Sequence, residues 1–187
     1  MVKKNTCVFI SGQGSNLKNL ILRSRDYNFP IDIKLIVTNN KNAKGIIYAK
    51  KNSIPHIVIN TKLSNYESKL LNILKKNKIS FICLAGYMKL ISKNFIEKFG
   101  KKIINIHPSL LPKFKGLDTF SRILKMGEKK TGCTVHYVNN KLDSGHIIIK
   151  KSFFIVPSDN DVTLKKKTQK LEHQIYPEAI IKIFRNY

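Results

Sequence analysis

The first 107 residues alternate strictly between short apolar runs and segments of helical character. The run Phe81-Ile82-Cys83-Leu84-Ala85-Gly86 is apolar throughout, which is typical of a central parallel strand covered on both faces. Strands that alternate with helices form βαβ units, and right-handed crossovers then produce a doubly wound sheet. The pattern therefore predicts an α/β fold on a mostly parallel sheet. The expected strands cover residues 6–10, 31–37, 56–59, 81–86 and 104–107, and the expected helices cover 17–22, 42–51, 64–77 and 92–99.

The pattern changes after Pro108. Two β runs, at 133–138 and 146–149, are separated by a turn-rich link that is too short for a helical crossover, so we expect them to pair antiparallel and extend the sheet. A helix over 119–126 precedes them, and a closing helix over 162–184, interrupted near Pro177, follows them. Because the 187 residues contain no linker or low-complexity stretch, the chain is predicted to be one domain over residues 1–187.

The net charge of +24 raises the question of a nucleic-acid partner. Only four of the 35 basic residues are arginines, whereas sites that read bases or grip phosphates favour arginine. The lysines are spread over every segment. We therefore expect no specific nucleic-acid partner, and a charge that helps to attract an anionic small substrate.

The sequence also bears on membranes, metals and location. No apolar run approaches the roughly 20 residues that span a bilayer, and the early run at 6–10 leads into a glycine loop rather than a cleavage site. We therefore expect no membrane partner and a cytoplasmic location. Cys7, Cys83 and Cys133 lie in strand-like runs without CxxC spacing, so we expect neither a disulfide framework nor a metal site.

The stretch Ile104-Asn105-Ile106-His107-Pro108 carries the first candidate chemistry. Side chains alternate in a strand, so Asn105 and His107 share one face, and Pro108 ends the pairing. Open α/β sheets keep their ligand crevices at the carboxyl ends of strands. There, an amide donor beside an imidazole suits acyl transfer, which needs an oxyanion held and a proton moved. Spacing alone leaves open that these residues only cap a strand and its turn.

A second candidate site is the glycine loop Gly12-Gln13-Gly14-Ser15-Asn16 between a strand and a helix. Glycine permits the tight turn, and the helix start offers backbone N–H groups to an anion. Leu17 stands where the dinucleotide fingerprint needs its third glycine. A single phosphate monoester is therefore favoured over a dinucleotide, and a purely structural turn stays open.

The chain resembles the glycinamide ribonucleotide transformylases, that is, the phosphoribosylglycinamide formyltransferases of the folate-dependent formyltransferase family. Its matching blocks span residues 10–17, 84–88, 105–112, 134–136, 142–145 and 169–177, in family order. The resemblance implies formyl transfer from the co-substrate 10-formyltetrahydrofolate to the amine of glycinamide ribonucleotide in purine biosynthesis, without a metal. It implies that Asn105 donates to the oxyanion, that protonated His107 stabilises it and shuttles a proton, and that Asp143 organises a relay water. His136 alternates with apolar neighbours, and a core role is favoured for it.

The resemblance also implies binding residues. It places the substrate phosphate on Gly14, Ser15 and Asn16, and the substrate amine near Glu172. The folate pterin would contact two segments, Met88, Lys89, Leu90 and Ile91 in one, and Asn139, Asn140, Lys141 and Leu142 in the other. It leaves both a monomer and a homodimer open.

Three positions depart from the family pattern: Leu63 replaces a phosphate-clamping arginine, Asp118 a histidine and Ser144 a glycine. Three alternatives stay open at this point. The first is a related formyltransferase for another amine, such as an amino sugar nucleotide. The second is a basic nucleic-acid-binding α/β protein with a degenerate site, and the third is a folate-binding pseudoenzyme.

Overall fold

The computed structural model describes residues 2–185, and these contain seven strands and six helices. Their order along the chain is β1 (Lys4–Ile10), α1 (Ser15–Ser24), β2 (Ile31–Thr38), α2 (Ile46–Lys51), β3 (His56–Val58), α3 (Tyr66–Lys76), β4 (Phe81–Leu84), α4 (Lys93–Phe99), β5 (Ile103–His107), α5 (Thr119–Lys125), β6 (Lys130–Tyr137), β7 (Ile147–Phe154) and α6 (Asp161–Arg185).

The strands form a mixed sheet of order β3-β2-β1-β4-β5-β6-β7. The pairs β1–β2, β1–β4 and β2–β3 are parallel, and β6 and β7 pair antiparallel. This confirms the predicted α/β fold, with a mostly parallel sheet and antiparallel strands in the carboxyl-terminal part. The chain packs as two compact units, Met1–Ile104 and Asn105–Tyr187. A single domain over residues 1–187 stays a prediction.

The first unit has its core around β1, where Cys7, Val8, Phe9 and Ile10 are fully buried. Helix α1 places apolar side chains at a spacing of three and four residues, so that they share one face, and its Leu17, Leu20 and Ile21 are buried. The apolar residues that the sequence spaces at helical intervals in α1 therefore form its buried face.

The second unit is built from the β6–β7 pair and the 25-residue helix α6, which packs against both strands. The predicted interruption at Pro177 is wrong, because α6 runs continuously from Asp161 to Arg185. Proline removes one backbone donor, but here Pro177 is buried together with Tyr176, Ala179 and Ile180. Apolar burial on both sides of the proline compensates for the missing hydrogen bond.

Two local expectations in the first unit also need correction. Helix α2 begins at Ile46 rather than at 42, because the Asn40 side chain accepts from the Asn42 N–H at 2.9 Å and its carbonyl from Ala43 at 3.0 Å, which makes a turn. Ser64 and Glu67, spaced like a capping box, do not cap α3. The Glu67 carboxylate instead accepts from the Ser92 N–H at 3.0 Å and from the Ser92 hydroxyl.

No helix within residues 2–185 combines the length and apolar character that a bilayer crossing requires.

Candidate active site

The end of β5 holds the first two predicted catalytic residues. Ile104 and Ile106 are buried, and the alternation of the strand places Asn105 and His107 together on its other face. His107 is only 5% exposed, and its Nε2 lies 2.8 Å from the Phe114 carbonyl oxygen. The imidazole is therefore fixed in orientation by backbone that follows the strand.

Asp143 reaches the same place from the loop between β6 and β7. Its carboxylate Oδ2 lies 3.3 Å from His107 Nδ1, and its Oδ1 lies 3.4 Å from Asn105 Nδ2. The Gly116 N–H donates to Oδ2 at 2.9 Å. Asp143 adopts a left-handed backbone with φ of 45°, and it is only 8% exposed. The three side chains that the sequence singled out thus converge within the second unit.

His136 on β6 is a fourth member of this cluster. Its Nε2 lies 3.3 Å from Asn105 Nδ2 and 3.6 Å from Asp143 Oδ1, while its Nδ1 donates to the Tyr137 carbonyl at 2.8 Å. The core location predicted for His136 is right, since it is 2% exposed, but the residue also contacts two catalytic candidates. The neighbouring positions of β5 and β6 in the sheet bring it there, and the sequence analysis did not predict that pairing.

The cluster keeps Asp143 ionised. Burial alone would raise the pKa of its carboxyl, but the neighbouring His136 imidazole, the Gly116 N–H donor and the neighbouring His107 imidazole outweigh burial and lower that pKa below its ordinary value. A carboxylate that accepts several hydrogen bonds is stabilised in its charged form. The resting protein therefore carries a negative charge between two imidazoles.

His107 is shifted toward its neutral form. Burial lowers its pKa, the Phe114 carbonyl and Asp143 raise it, His136 and Arg122 lower it further, and the net direction is downward. A neutral ring has one N–H, and the 2.8 Å contact with the Phe114 carbonyl places it on Nε2. The Nδ1 lone pair then faces Asp143. The role that the resemblance implies for a protonated His107 stays a prediction.

The segment between β5 and α5 contributes backbone groups that the sequence analysis missed. The Phe114 carbonyl holds His107, and the Gly116 N–H holds Asp143. The residue type at 114 or 116 does not predict such a role, because backbone carbonyl and N–H groups are common to almost all residues. Asp118 is exposed and stands at the start of α5 with φ of 53°.

The predicted phosphate loop lies in the first unit. Gly14 has φ of 73° and precedes α1, and a Cβ placed on it would lie 2.6 Å from the Gly45 Cα. Gly45 in turn donates its N–H to the Gly12 carbonyl at 3.0 Å. Glycine is therefore required at position 14 by both conformation and space. Ser15 and Asn16 begin the first turn of α1, where helix N–H groups point toward an incoming anion.

The first predicted pterin segment follows β4 in the same unit. Met88 and Leu90 are 67% and 65% exposed, Lys89 is exposed, and Ile91 is half-buried. Within residues 2–104 the backbone groups of Leu90 and Ile91 make no hydrogen bond to the protein. They are therefore available to a ligand edge that carries donors and acceptors.

Both ends of this segment are tethered. The Met88 N–H donates to the Ser11 hydroxyl at 2.8 Å, and the Glu67 carboxylate accepts from the Ser92 N–H at 3.0 Å. Tyr66 donates to the same carboxylate at 3.2 Å, and burial followed by the charge of Glu67 raises the pKa of Tyr66 to about 12. The exposed residues thus sit between two fixed points.

The remaining predicted binding residues lie in the second unit. Glu172 is half-buried on α6, and after burial its charge further raises the pKa of the Cys133 thiol. The four residues of the second pterin segment are all exposed, and the Lys141 N–H donates to the Asn139 side chain at 3.0 Å. In residues 2–185, no group of three or more His, Cys, Asp or Glu side chains has an arrangement that could hold a metal ion.

Comparison with known proteins identifies the family of the chain. Residues 4–180 match the sequence profile of the formyl transferase family. The phosphoribosylglycinamide formyltransferase of Haemophilus influenzae is 38% identical over 181 residues, which cover 95% of this chain and 85% of that protein. The trifunctional purine biosynthetic protein adenosine-3 of Homo sapiens is 37% identical over 182 residues. The chain spans 18% of the human protein and 14% of its Drosophila melanogaster counterpart.

Solved structures give the same answer for the fold. The phosphoribosylglycinamide formyltransferase of Brucella melitensis superimposes with a TM-score of 0.91 at 37% identity, covering 97% of this chain and 95% of that one. The enzyme of Bacillus halodurans gives a TM-score of 0.92 at 34% identity, with 96% and 95% covered. The chain therefore belongs to the formyl transferase family, and within it to the phosphoribosylglycinamide formyltransferases.

Proposed function

We propose that this protein transfers the formyl group of 10-formyltetrahydrofolate to the amine of glycinamide ribonucleotide, as a step of purine biosynthesis in the cytoplasm. The observation that carries the proposal is the convergence of Asn105, His107 and Asp143 on one point, with distances of 3.3 and 3.4 Å from Asp143 to the other two. The relatives named phosphoribosylglycinamide formyltransferase support the choice of substrate.

The chemistry begins with the amine attacking the formyl carbon, which leaves a negative charge on the formyl oxygen. The Nδ2 of Asn105 is the amide donor for that oxyanion. It now lies 3.3 Å from His136 Nε2 and 3.4 Å from Asp143 Oδ1, so one of its two hydrogens turns to the substrate as charge develops. A donor that reaches the developing charge in a water-excluded site stabilises it more strongly than the same donor does in water.

The attacking nitrogen must then lose a proton. Nδ1 of His107 receives it through a water, because Nε2 already donates to the Phe114 carbonyl at 2.8 Å. The resulting imidazolium lies beside Asp143, whose Oδ2 is 3.3 Å away, and the ion pair stabilises it. The imidazolium returns the proton to the folate nitrogen as the carbon–nitrogen bond to the formyl group breaks. One proton is taken and one is given back, so the cluster ends as it began.

Binding of the two substrates falls to residues outside this cluster. We assign the phosphate to the loop Gly14, Ser15 and Asn16 and the amine end of the substrate to Glu172. For the pterin we assign the backbone of Leu90 and Ile91, and the loop of residues 139–142. The side chain at 63 is leucine and is exposed, so the phosphate has no guanidinium at this position. A lysine such as neighbouring Lys62 would supply a point charge instead of a bidentate contact.

The direct test is formyl transfer by the purified protein from 10-formyltetrahydrofolate to glycinamide ribonucleotide, followed by the appearance of tetrahydrofolate and formylated product. A parallel reaction offers an amino sugar nucleotide as the amine. We expect turnover with glycinamide ribonucleotide and little with the amino sugar. Transfer only to the amino sugar, or to neither amine, would refute the proposal.

A further inference from the structure

The segment Phe114–Leu117 holds both halves of the proton-transfer pair, and it does so with backbone atoms alone. The Phe114 carbonyl lies 2.8 Å from His107 Nε2, and the Gly116 N–H lies 2.9 Å from Asp143 Oδ2. A small rotation of this backbone would move one contact or the other. The relative position of His107 and Asp143 therefore depends on the conformation of four consecutive residues.

That conformation is an unusual one. Within the segment Phe114 has φ of 58° and Gly116 of 80°, and Asp118, directly after it, has φ of 53°. Left-handed backbone is rare for residues other than glycine and persists only where neighbouring groups hold it. Two non-glycine residues adopt it within five positions here. Something outside the segment must therefore restrain it.

Arg122 on α5 contacts the segment from outside at several points. Its Nη1 donates to the Lys115 carbonyl at 2.7 Å and to the Leu117 carbonyl at 3.2 Å. Its guanidinium carbon lies 5.7 Å from the centre of the Phe114 ring, within the range of a cation–π contact. One side chain thus contacts residues 114, 115 and 117, which surround the two catalytic contacts.

A second tie joins this segment to the loop of Asp143. The Lys115 ammonium donates to the Ser144 hydroxyl, and that hydroxyl donates to the Leu142 carbonyl at 2.8 Å. The tie crosses from one loop to the other beside Asp143.

We propose that Arg122 is a positioning residue for formyl transfer: by holding the carbonyls of Lys115 and Leu117 it sets the segment that aligns His107 with Asp143. The inference rests on the proposed function. It adds a residue that touches neither substrate nor any catalytic side chain, and acts through backbone.

The charge of Arg122 gives the role a second signature. The groups that face His107 are the Phe114 carbonyl, Asp143, His136 and Arg122, and the cation of Arg122 is one of those that lower the pKa of the imidazole. Its removal should raise that pKa. A residue that only stabilised the fold would leave the pH dependence of turnover in place.

The test compares Arg122→Gln with Lys125→Gln. Both remove one positive charge from the exposed surface of α5, but only the first removes the contacts to the segment. We expect Arg122→Gln to lower kcat about tenfold, since misalignment by a fraction of an ångström has effects of this order, with KM values for both substrates nearly unchanged. The low-pH limb of its kcat profile should move to higher pH. Lys125→Gln should behave as wild type in each respect.

Two further measurements keep the outcome interpretable. Hydrogen exchange of the Gly116 amide, read by NMR without substrates, should be faster in Arg122→Gln and unchanged in Lys125→Gln. Arg122→Lys, checked for folding by circular dichroism, should keep the wild-type pH limb and recover only part of kcat, because a compact ammonium does not stack on the Phe114 ring as the planar guanidinium does.

The possible failures separate the two proposals. If the wild type does not transfer formyl groups, the proposed function is wrong, whatever the exchange data show. If the wild type is active and Arg122→Gln matches Lys125→Gln in kcat, pH profile and Gly116 exchange, the positioning role of Arg122 is wrong and the proposed function is untouched.

Discussion

The two candidate sites of this protein are built in opposite ways. In the first unit, the glycine loop and the segment after β4 offer backbone groups, and the side chains around them, such as Met88 and Leu90, point into solvent. In the second unit, the side chains of Asn105, His107, His136 and Asp143 are gathered from β5, β6 and a loop and contact one another within 3.3 to 3.6 Å. This contrast corresponds to the two tasks of a transferase, which are recognition of its substrates and catalysis of the transfer.

Recognition by backbone tolerates changes of side chain, provided that the path of the chain is kept. Catalysis by a cluster of side chains does not tolerate such changes, because each member influences the charge state or the orientation of the others. Substitutions in the side-chain cluster of the second unit should therefore act on kcat, and substitutions in the backbone sites of the first unit should act on binding or on stability. The predictions below test this division.

The largest effect is expected from His107→Ala. The proton acceptor is lost, and a positioned acid–base group is typically worth about 10²–10⁴ in rate. Steady-state kinetics should show this loss in kcat, while His56→Ala, an imidazole of the first unit, stays near wild type. Burial lowers the pKa of His107, so wild-type kcat should be level at neutral pH and fall only as the pH drops through that lowered pKa. A small loss of kcat in His107→Ala would contradict the division.

A smaller effect, on binding and stability, is expected from Gly14→Ala. The new Cβ would lie 2.6 Å from the Gly45 Cα on a backbone with φ of 73°, and a strained left-handed residue costs about 1–3 kcal/mol. Urea unfolding should show that loss, and the KM for glycinamide ribonucleotide should rise. Gly12→Ala is the matched control, since nothing lies within 4 Å of its added Cβ. Equal stability of the two variants would show that the loop does not need its present path.

Glu67→Gln should act on folate binding alone. The amide oxygen cannot accept both contacts from Ser92, so the tether at the end of the first pterin segment is weakened by one hydrogen bond. A lost hydrogen bond of about 1 kcal/mol corresponds to roughly a fivefold rise in KM for the folate. Glu97→Gln removes an exposed carboxylate from α4 and is the control. A fall in kcat at unchanged KM would place Glu67 in the catalytic step instead.

The smallest effect is expected from Met88→Ala. Its side chain is 67% exposed, and substitutions at such positions usually change the free energy by about 0.5 kcal/mol or less. The KM for the folate should therefore stay within about threefold of wild type, since a change of about 0.5 kcal/mol alters a binding constant by less than that factor. A tenfold rise would mean that the side chain, and not the backbone, reads the pterin.

The fold was largely predictable, because its signals are local. The alternation of β and α segments, the buried run at β4 and the short link between β6 and β7 each follow from period and loop length. The errors arose where tertiary structure or a turn overrides propensity. Pro177 lies inside α6 because its neighbours are buried. Glu67 accepts a hydrogen bond from Ser92, 25 residues away, instead of capping its own helix.

The site was predictable in part. Alternation alone placed Asn105 and His107 on one face, but an Asp-Ser-Gly sequence is an ordinary turn, and only the family resemblance singled out Asp143. A core role was predicted for His136 from its apolar neighbours, but a buried residue can also contact catalytic side chains, as His136 does. The contributions of Phe114 and Gly116 could not be foreseen, because they depend on backbone angles in a loop that sequence periodicity does not describe.

The most direct test of the account is the rate of formyl transfer by Asp143→Asn, measured in single turnover with folding and folate binding verified separately. The asparagine keeps the size and can still accept from the Gly116 N–H, but it removes the negative charge that stabilises an imidazolium at His107. The account predicts a folded protein that binds the folate and transfers the formyl group about 10²–10³ times more slowly. A rate within about tenfold of wild type, which is about 1.4 kcal/mol in barrier height, would contradict it.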